Sequence, residues 1–371
     1  MKVAYLLGSL NRGGTETMYL DLFRRSNMLP FTIYGIHRKA GAYSSEYYAT
    51  GALWTQIKPR LPFDLQYLVR LRKYIIKHNI NIVHAQQRLD AIYAWLALKG
   101  TGTKVIQTLH GHDYYDSKIS DLLAKWSICV SILNIFVSKT QYEEYKQKYR
   151  FKKLSKMRVI YNGVSFDKLD AKKEGVPLCK RNVGASSLML GSVGNFTSGR
   201  SQIFLCRFLH LLNKEAVDYD FVFVGAKSDT EPWLYEECIQ YCQENKIYEK
   251  VHFLGSSSDV PNILKQLDAF MYASVHDTFG IAVIEAIAVG VPTFVNDLRV
   301  MREITADGKR AILYRNGDER DLLDKFKYFL KNKQKVKINA EKAAADVRER
   351  YSIQVFINNL FQVYKSLFKE S

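Results

Sequence analysis

Cysteine is scarce: five are spread over the 371 residues, at Cys129, Cys179, Cys206, Cys238 and Cys242. An odd, scattered set excludes a disulfide framework, and the one close pair, Cys238 and Cys242, has no histidine or further cysteine at zinc-ligand spacing. Long apolar runs are missing as well. The longest, Ser127 to Val137, is interrupted by Ser131 and Asn134 and falls short of the roughly 20 residues that a membrane span needs. Met1 to Gly8 reaches glycine too soon for a signal peptide, so the expectation is a cytoplasmic protein. Acidic side chains are outnumbered, 37 against 54 Lys and Arg, which gives a net charge of +17 and invites a polyanionic partner. With 47% apolar and 25% charged residues, the chain is neither disordered nor of low complexity.

What is present is an alternation of short apolar runs and longer helical patterns, the signature of parallel sheets covered by helices. The runs in the first half are Val3 to Leu7, Phe31 to Gly35, Ile82 to His84, Lys104 to Leu109, Asn134 to Ser138 and Val159 to Tyr161. Those in the second are Leu188 to Gly194, Tyr219 to Gly225, Val251 to Leu254, Ala269 to Ala273, Thr293 to Asn296 and Ala311 to Tyr314. Six and six, in a chain of this length, predict two doubly wound α/β domains. The boundaries follow: a first Rossmann-like domain over 1–170, a polar linker over 171–187, and a second Rossmann-like domain over 188–350. A final amphipathic helix over 351–371 carries apolar residues at Val355, Phe356, Leu360, Val363, Tyr364 and Leu367.

Three constellations carry chemistry. Gly13 and Gly14 precede a helix beginning near Thr15, where backbone amides without an intervening Cβ suit an anion, although a structural strand-to-helix turn fits the same residues. Thr108-Leu-His110-Gly-His112-Asp113 ends a predicted strand, where ligands bind in open parallel sheets. His110 could contact a sugar or phosphate there, or be an ordinary packed histidine. The most specific stretch is His276 to Pro292, in which Asp277 and Glu285 flank a loop and the start of an almost wholly apolar helix. Among Ile284, Ala286 and Ile287, Glu285 needs hydrogen-bond donors, which sugar hydroxyls would supply; a structural glutamate in a buried helix is the plainer reading. The amides near Phe279 to Ala282 favour a phosphate.

Asp277-x7-Glu285, with Phe-Gly after the first acid and Glu-Ala-x-Ala-x-Gly-x-Pro from the second, resembles the E-x7-E signature of the retaining nucleotide-sugar glycosyltransferases of family 4. Supporting pieces occur in the family's order along the whole chain: Gly13-Gly14-Thr15-Glu16, Ile82-Val83-His84-Ala85, Thr108-Leu109-His110-Gly111, Val159 to Val164, the Gly194 loop, Phe253-Leu254-Gly255 and Arg302-Glu303-Ile304. The resemblance implies a GT-B fold, two Rossmann-like domains facing a cleft with the terminal helix packing back on the first. It implies a nucleoside diphosphate sugar as donor, a saccharide or lipid-linked acceptor, and no essential metal or other cofactor. Position by position, Asp277 would hold a donor-sugar hydroxyl, Glu285 the ribose, and His110 would lie near the transferred sugar. Gly13, Gly14 and the backbone at Phe279 and Gly280 would lie near the diphosphate. The family's diphosphate-binding arginine is here Asn195, while Arg200 fits the position of its lysine; Asp277 is one methylene shorter than the usual glutamate.

The expected activity is transfer of a hexose with retention, in surface polysaccharide or glycolipid synthesis. A sugar-nucleotide epimerase of the same fold and a non-catalytic basic binding module are the alternatives. Asp218-Tyr219-Asp220 imitates a D-x-D metal motif but leads into a strand and is set aside. Residues 1–170 carry 26 Lys and Arg against 12 Asp and Glu, so 14 of the 17 excess charges belong to the acceptor-side domain. They gather at Lys58 to Lys77 and Lys139 to Arg158. No nucleic-acid motif accompanies them, so the expected partner is an anionic membrane surface on the inner face, with a solvated face as the plain alternative.

Overall fold

A computed structural model describes every residue except 61–63, 112–116, 152–153, 171–186 and 370–371. The expected linker, Ser187 apart, lies outside the described residues, as do His112, Asp113, Lys152, Lys153 and Cys179. The chain divides into two compact units, Met1–Gly163 with Ile353–Ser371, and Val164–Ser352. Val164 to Asp170, assigned from sequence to the first domain, therefore cluster with the second unit.

The first unit holds β1 (Lys2–Ser9), β2 (Thr32–Lys39), β3 (Leu53–Gln56), β4 (Ile82–Ala85), β5 (Lys104–Leu109), β6 (Leu133–Phe136) and β7 (Met157–Val159). These form one sheet of order β3-β2-β1-β4-β5-β6-β7. Every pairing is parallel, with Val3 opposite Ile33 and Ile82. The seventh strand is β3, which the sequence reading omits. Leu-Trp-Thr-Gln is a four-residue edge strand whose Leu53 faces solvent, so it lacks the continuous apolar run that marks its neighbours.

Alternation along β1 sorts the core. Val3, Tyr5 and Leu7 pack with Tyr19, Leu22 and Phe23 of the helix Gly14–Phe23 and with Ile353, Phe356, Ile357, Leu360 and Tyr364 of the C-terminal helix Ile353–Lys369. Ala4 and Leu6 face the other way, onto Tyr67, Leu71 and Ile75 of the helix Leu65–Lys77 and Tyr93, Ala94 and Ala97 of the helix Arg88–Leu98. The C-terminal helix also makes buried polar contacts: Tyr364 Oη lies 2.6 Å from Tyr5 Oη and 2.7 Å from His84 Nδ1, and His84 Nε2 lies 2.8 Å from Thr108 Oγ1. Burial of this histidine pushes its pKa down to about 3.

The second unit holds β8 (Leu188–Val193), β9 (Tyr219–Val224), β10 (Val251–Phe253), β11 (Ala269–Tyr272), β12 (Thr293–Asn296) and β13 (Ile312–Tyr314), in the order β10-β9-β8-β11-β12-β13. All pairings are again parallel. The order runs outward from β8 through β9 to β10 and then restarts beside β8 with β11, which is the reversal that opens a crevice at the carboxyl ends of an α/β sheet.

Candidate functional site

That reversal brings together two loops far apart in sequence. The chain leaving β8 passes Gly194 to Ser201 before the helix Gln202–Lys214, and the chain leaving β11 passes Ala273 to Gly280 before the helix Ile281–Val289. Backbone bonds stitch them: Ser201 N donates to Ala273 O at 3.2 Å and Val275 N to Gly199 O at 3.1 Å. Gly225, after β9, has to be a glycine, since a Cβ there would lie 2.0 Å from the Gly194 carbonyl oxygen.

Arg200 and Asp277 meet at this junction. Arg200 Nη1 donates to Asp277 Oδ2 at 2.7 Å, and both side chains are part-buried. The guanidinium carbon lies 4.6 Å from the centre of the Tyr272 ring, and the Tyr272 hydroxyl donates to the same carboxylate oxygen. The other oxygen of Asp277 accepts from the amides of Thr278, at 2.8 Å, and Phe279, at 3.2 Å. Asp277 thus holds its own loop in shape while it compensates the charge of Arg200. From sequence Arg200 reads as the main cation of the site; the structure gives it a counter-ion.

Behind the pair stands Asn296, at the end of β12 and almost wholly buried. Its side chain accepts from Ser274 N at 3.1 Å and donates to Ser274 O at 2.7 Å and Asn316 Oδ1 at 2.8 Å, fixing the strand end from which the loop departs. Neither Tyr272 nor Asn296 is singled out by a motif. Their positions at the carboxyl ends of β11 and β12, beside the reversal, are the signal that could have found them.

The helix Ile281–Val289 begins at Gly280, whose φ of 87° suits glycine and where a Cβ would press within 3.0 Å of Met301 Cε. The Phe279 side chain is core, buried against Tyr351 at 5.5 Å between ring centres, so only its backbone belongs to the loop surface. The first amides of a helix have no intrahelical acceptor and point out of its amino end. Glu285 is less buried than its neighbours imply. Helical period puts it on the part-exposed stripe of Ile281, Ala282 and Val289, while Val283, Ile284, Ala286 and Ile287 face the core. Asn195 turns its oxygen to the Ala226 amide at 2.9 Å, tying the loop after β8 to that after β9.

Six of the nine candidate residues, Asn195, Arg200, Asp277, Phe279, Gly280 and Glu285, therefore belong to loops and a helix start of the second unit. Gly13, Gly14 and His110 belong to the first. There Gly13 O accepts from both Thr17 N, at 2.9 Å, and Thr17 Oγ1, at 2.8 Å. The Glu16 carboxylate fills the space beside Gly13, where a Cβ would lie 2.4 Å from its Oε2, and burial raises the pKa of Glu16. An anion at this turn would have to contend with that carboxyl group. His110 Nε2 is 2.9 Å from Gln86 Oε1 and 3.2 Å from Tyr19 Oη. Because Gln86 Nε2 donates to His84 O at 3.2 Å, Oε1 is the accepting end, which assigns the ring proton of His110 to Nε2. Burial lowers the His110 pKa to about 3, so the ring is neutral at physiological pH. Gln86 and Tyr19 escape the motif search because neither has unusual chemistry by itself.

Among the described residues no group of three or more His, Cys, Asp or Glu is arranged to hold a metal ion. Asp218 and Asp220 flank the start of β9, at the opposite end of the sheet from the reversal, and Asp220 Oδ1 is 2.8 Å from His252 Nε2. No described helix is long and apolar enough to cross a membrane.

The profile of the family described as "Glycosyltransferase Family 4" matches residues 12–168, and that of "Glycosyl transferases group 1" matches residues 181–346. The chain belongs to the GT-B glycosyltransferases of the family 4 type. It is 22% identical to the O-antigen biosynthesis glycosyltransferase WclY of Escherichia coli, over 100% of this chain and 99% of that one. It is 23% identical to the N-acetyl-alpha-D-glucosaminyl L-malate synthase of Bacillus anthracis, over 83% of this chain and 81% of the relative. Its fold matches that of Anabaena HepE in complex with UDP and glucose, with a TM-score of 0.87, 17% identity and coverage of 99% of this chain and 100% of that one.

Proposed function

We propose that this glycosyltransferase moves a hexosyl group from a nucleoside diphosphate sugar to an acceptor hydroxyl with retention of anomeric configuration, in the assembly of a surface polysaccharide or glycolipid. The observation that carries this reading is the meeting of Arg200, Asp277 and the start of the helix Ile281–Val289 at the strand-order reversal of the second sheet. A fold neighbour holding UDP and glucose and a relative assigned to O-antigen synthesis support it.

As the bond from the anomeric carbon to the diphosphate breaks, negative charge grows on the leaving group. Arg200 and the helix-start amides at Gly280 and Ile281 are donors already in place for that charge, so little reorganisation is needed. Asp277, fixed by Tyr272 and two amides, accepts from a sugar hydroxyl, and Glu285 accepts from the ribose. The acceptor is a saccharide, free or lipid-linked, whose hydroxyl attacks the donor on the face the diphosphate leaves.

The test is a thermal-shift screen of nucleoside diphosphates and their sugars, followed by transfer assays and NMR of the product anomer. Stabilisation by one diphosphate and its sugar, with a product of the donor's own anomeric configuration, supports the proposal. An inverted product would overturn retention. Conversion of the donor sugar without any acceptor would make the protein an epimerase, and absence of any nucleotide response would overturn the site.

A further inference from the structure

The ladder between β4 and β5 ends at Ala85 opposite Gln107. At the strand ends side chains take over the pairing. His84 Nε2 lies 2.8 Å from Thr108 Oγ1, and two residues further along each strand His110 Nε2 lies 2.9 Å from Gln86 Oε1. The two rungs are joined, since Gln86 Nε2 donates to the His84 carbonyl at 3.2 Å. A tyrosine closes each end. Tyr364 of the C-terminal helix bonds to His84 Nδ1 at 2.7 Å. Tyr19 of the helix Gly14–Phe23 donates to Gln86 and stands edge to face with the His110 ring, 5.6 Å between centres. Tyr5, Tyr19, His84 and Tyr364 are fully buried, and Gln86 and Thr108 nearly so, so these groups must satisfy one another.

Hydroxyls and neutral imidazoles have one proton each to give, and that forces the order of donors. Tyr19 spends its proton on Gln86, so from the Thr108 hydroxyl, with which it also bonds, it accepts. Thr108, having donated, accepts from His84, which puts the His84 proton on Nε2. His84 Nδ1 then accepts from Tyr364, and Tyr364 accepts from Tyr5 at 2.6 Å. The chain runs one way, from Tyr5 through Tyr364, His84, Thr108 and Tyr19 to Gln86, whose Oε1 also accepts from His110. Each bond in such a chain polarises the next. Tyr19 Oη is itself 3.2 Å from His110 Nε2, so a Tyr19 oxygen relieved of Thr108 competes with Gln86 for the His110 proton.

We infer that Tyr364 and His84 are positioning residues of the transfer reaction: through Thr108, Tyr19 and Gln86, the C-terminal helix sets the orientation and the proton of the His110 ring. The inference rests on the proposed function and on the place beside the transferred sugar that the family resemblance gives His110. Every group in the chain belongs to the first unit.

The test is nitrogen-15 NMR of the full chain labelled at histidine, with transfer measured in parallel. Thr108→Val cuts the chain at its middle and leaves the Tyr5–Tyr364 bond in place; Thr108→Ser restores the hydroxyl; Tyr364→Phe cuts the chain at the helix. In the unaltered chain His84 and His110 should both be neutral with the proton on Nε2. Thr108→Val should move the His84 proton to Nδ1, and Thr108→Ser should return it. Both Thr108→Val and Tyr364→Phe should speed exchange of the His110 ring proton about fivefold and lower kcat about fivefold, the worth of one ordinary hydrogen bond. Affinity for the nucleoside diphosphate should be unchanged, and Thr108→Ser should recover kcat. His110 signals that are the same in Thr108→Val as in the unaltered chain would overturn the inference. So would a kcat unmoved by either cut, or one that Thr108→Ser lowers as much as Thr108→Val, which would leave packing as the cause. Absence of transfer by the unaltered chain would refute the proposed function and this inference with it, whereas normal transfer with the His110 ring unmoved by both cuts would refute the inference alone.

Discussion

Replacing Arg200 by methionine deletes the charge and keeps an apolar stem that can follow the same course along Gly194 and over Tyr272. Asp277 is not orphaned by the change, because the Tyr272 hydroxyl and the amides of Thr278 and Phe279 still satisfy it. The lost ion pair is part-exposed, so its stability contribution stays within about 1 kcal/mol. If Arg200 faces the departing diphosphate, kcat should fall roughly 100- to 1,000-fold, the usual cost of removing one donor aimed at developing charge. Asp277→Asn provides the opposite sign. It keeps an oxygen for the two amides and frees the guanidinium, so binding of a nucleoside diphosphate should tighten even as transfer slows. A carboxylate roughly 8 Å from a phosphate charge, at an effective dielectric between about 20 and 80, opposes it by roughly 0.5–2 kcal/mol, or about 2- to 30-fold in affinity. The assays are calorimetric titration of the diphosphate and steady-state transfer. If Arg200→Met retains kcat within about threefold, and Asp277→Asn leaves diphosphate affinity unchanged or weaker, the pair is a loop clamp and the assignment to the leaving group is wrong.

Tyr364→Phe removes the hydroxyl shared by Tyr5 and His84 in the core. It should lower stability by about 2–4 kcal/mol in urea unfolding, since two buried polar groups lose a partner; a loss below about 0.5 kcal/mol would show that the C-terminal helix docks by its apolar contacts alone. Asn296→Ala strips Ser274 of two side-chain bonds. It should cut kcat/KM at least tenfold with a smaller effect on melting, and Asn296→Asp, which can still accept from Ser274 N, should recover part of the loss. A variant that is equally active but less stable would make Asn296 purely structural. His84 and His110 predict an acid limb of stability. Their folded-state pKa values, about 3, lie below the ordinary 6.5 because burial disfavours the charged ring. The unfolded chain therefore takes up protons first as pH falls: stability is complete above pH 6.5 and declines below it by up to about 1.4 kcal/mol per pH unit for each histidine. In urea midpoints between pH 6.5 and 4.5, His84→Gln should show a clearly shallower decline than the parent; an identical slope would contradict the buried-neutral assignment.

The strands were readable because parallel strands are covered on both faces and must be apolar throughout, as Leu188–Val193 and Ala269–Tyr272 are. Edge strands escape that demand. β3 was invisible for this reason, and β7 runs over Met157–Val159 instead of Val159 to Tyr161, with Met157 buried and Arg158 exposed. The candidate acids could be found from their spacing, but their surroundings could not. Glu285 looked buried because Ile284 and Ala286 adjoin it, yet residues one apart on a helix point to different faces, and the stripe that matters is Ile281, Glu285 and Val289. The Arg200–Asp277 pair spans 77 positions and exists only because β8 and β11 are neighbours, a fact of strand order that no local pattern encodes.

Net charge shows the same limit from the other side. Fourteen excess positive charges in residues 1–170 are a property of composition, and composition gives two basic segments equal standing. Folding makes them unequal. In the second segment Glu143 and Asp121 answer Lys146 and Lys148, so these two charges are compensated within the fold by screened pairs. In the first, Asp64 is spent on capping amides and Arg72 on carbonyls of the next helix, while Lys73 and Lys77 stay exposed beside Val69 and Ile76. A charge steers a partner only when nothing in the fold has already neutralised it.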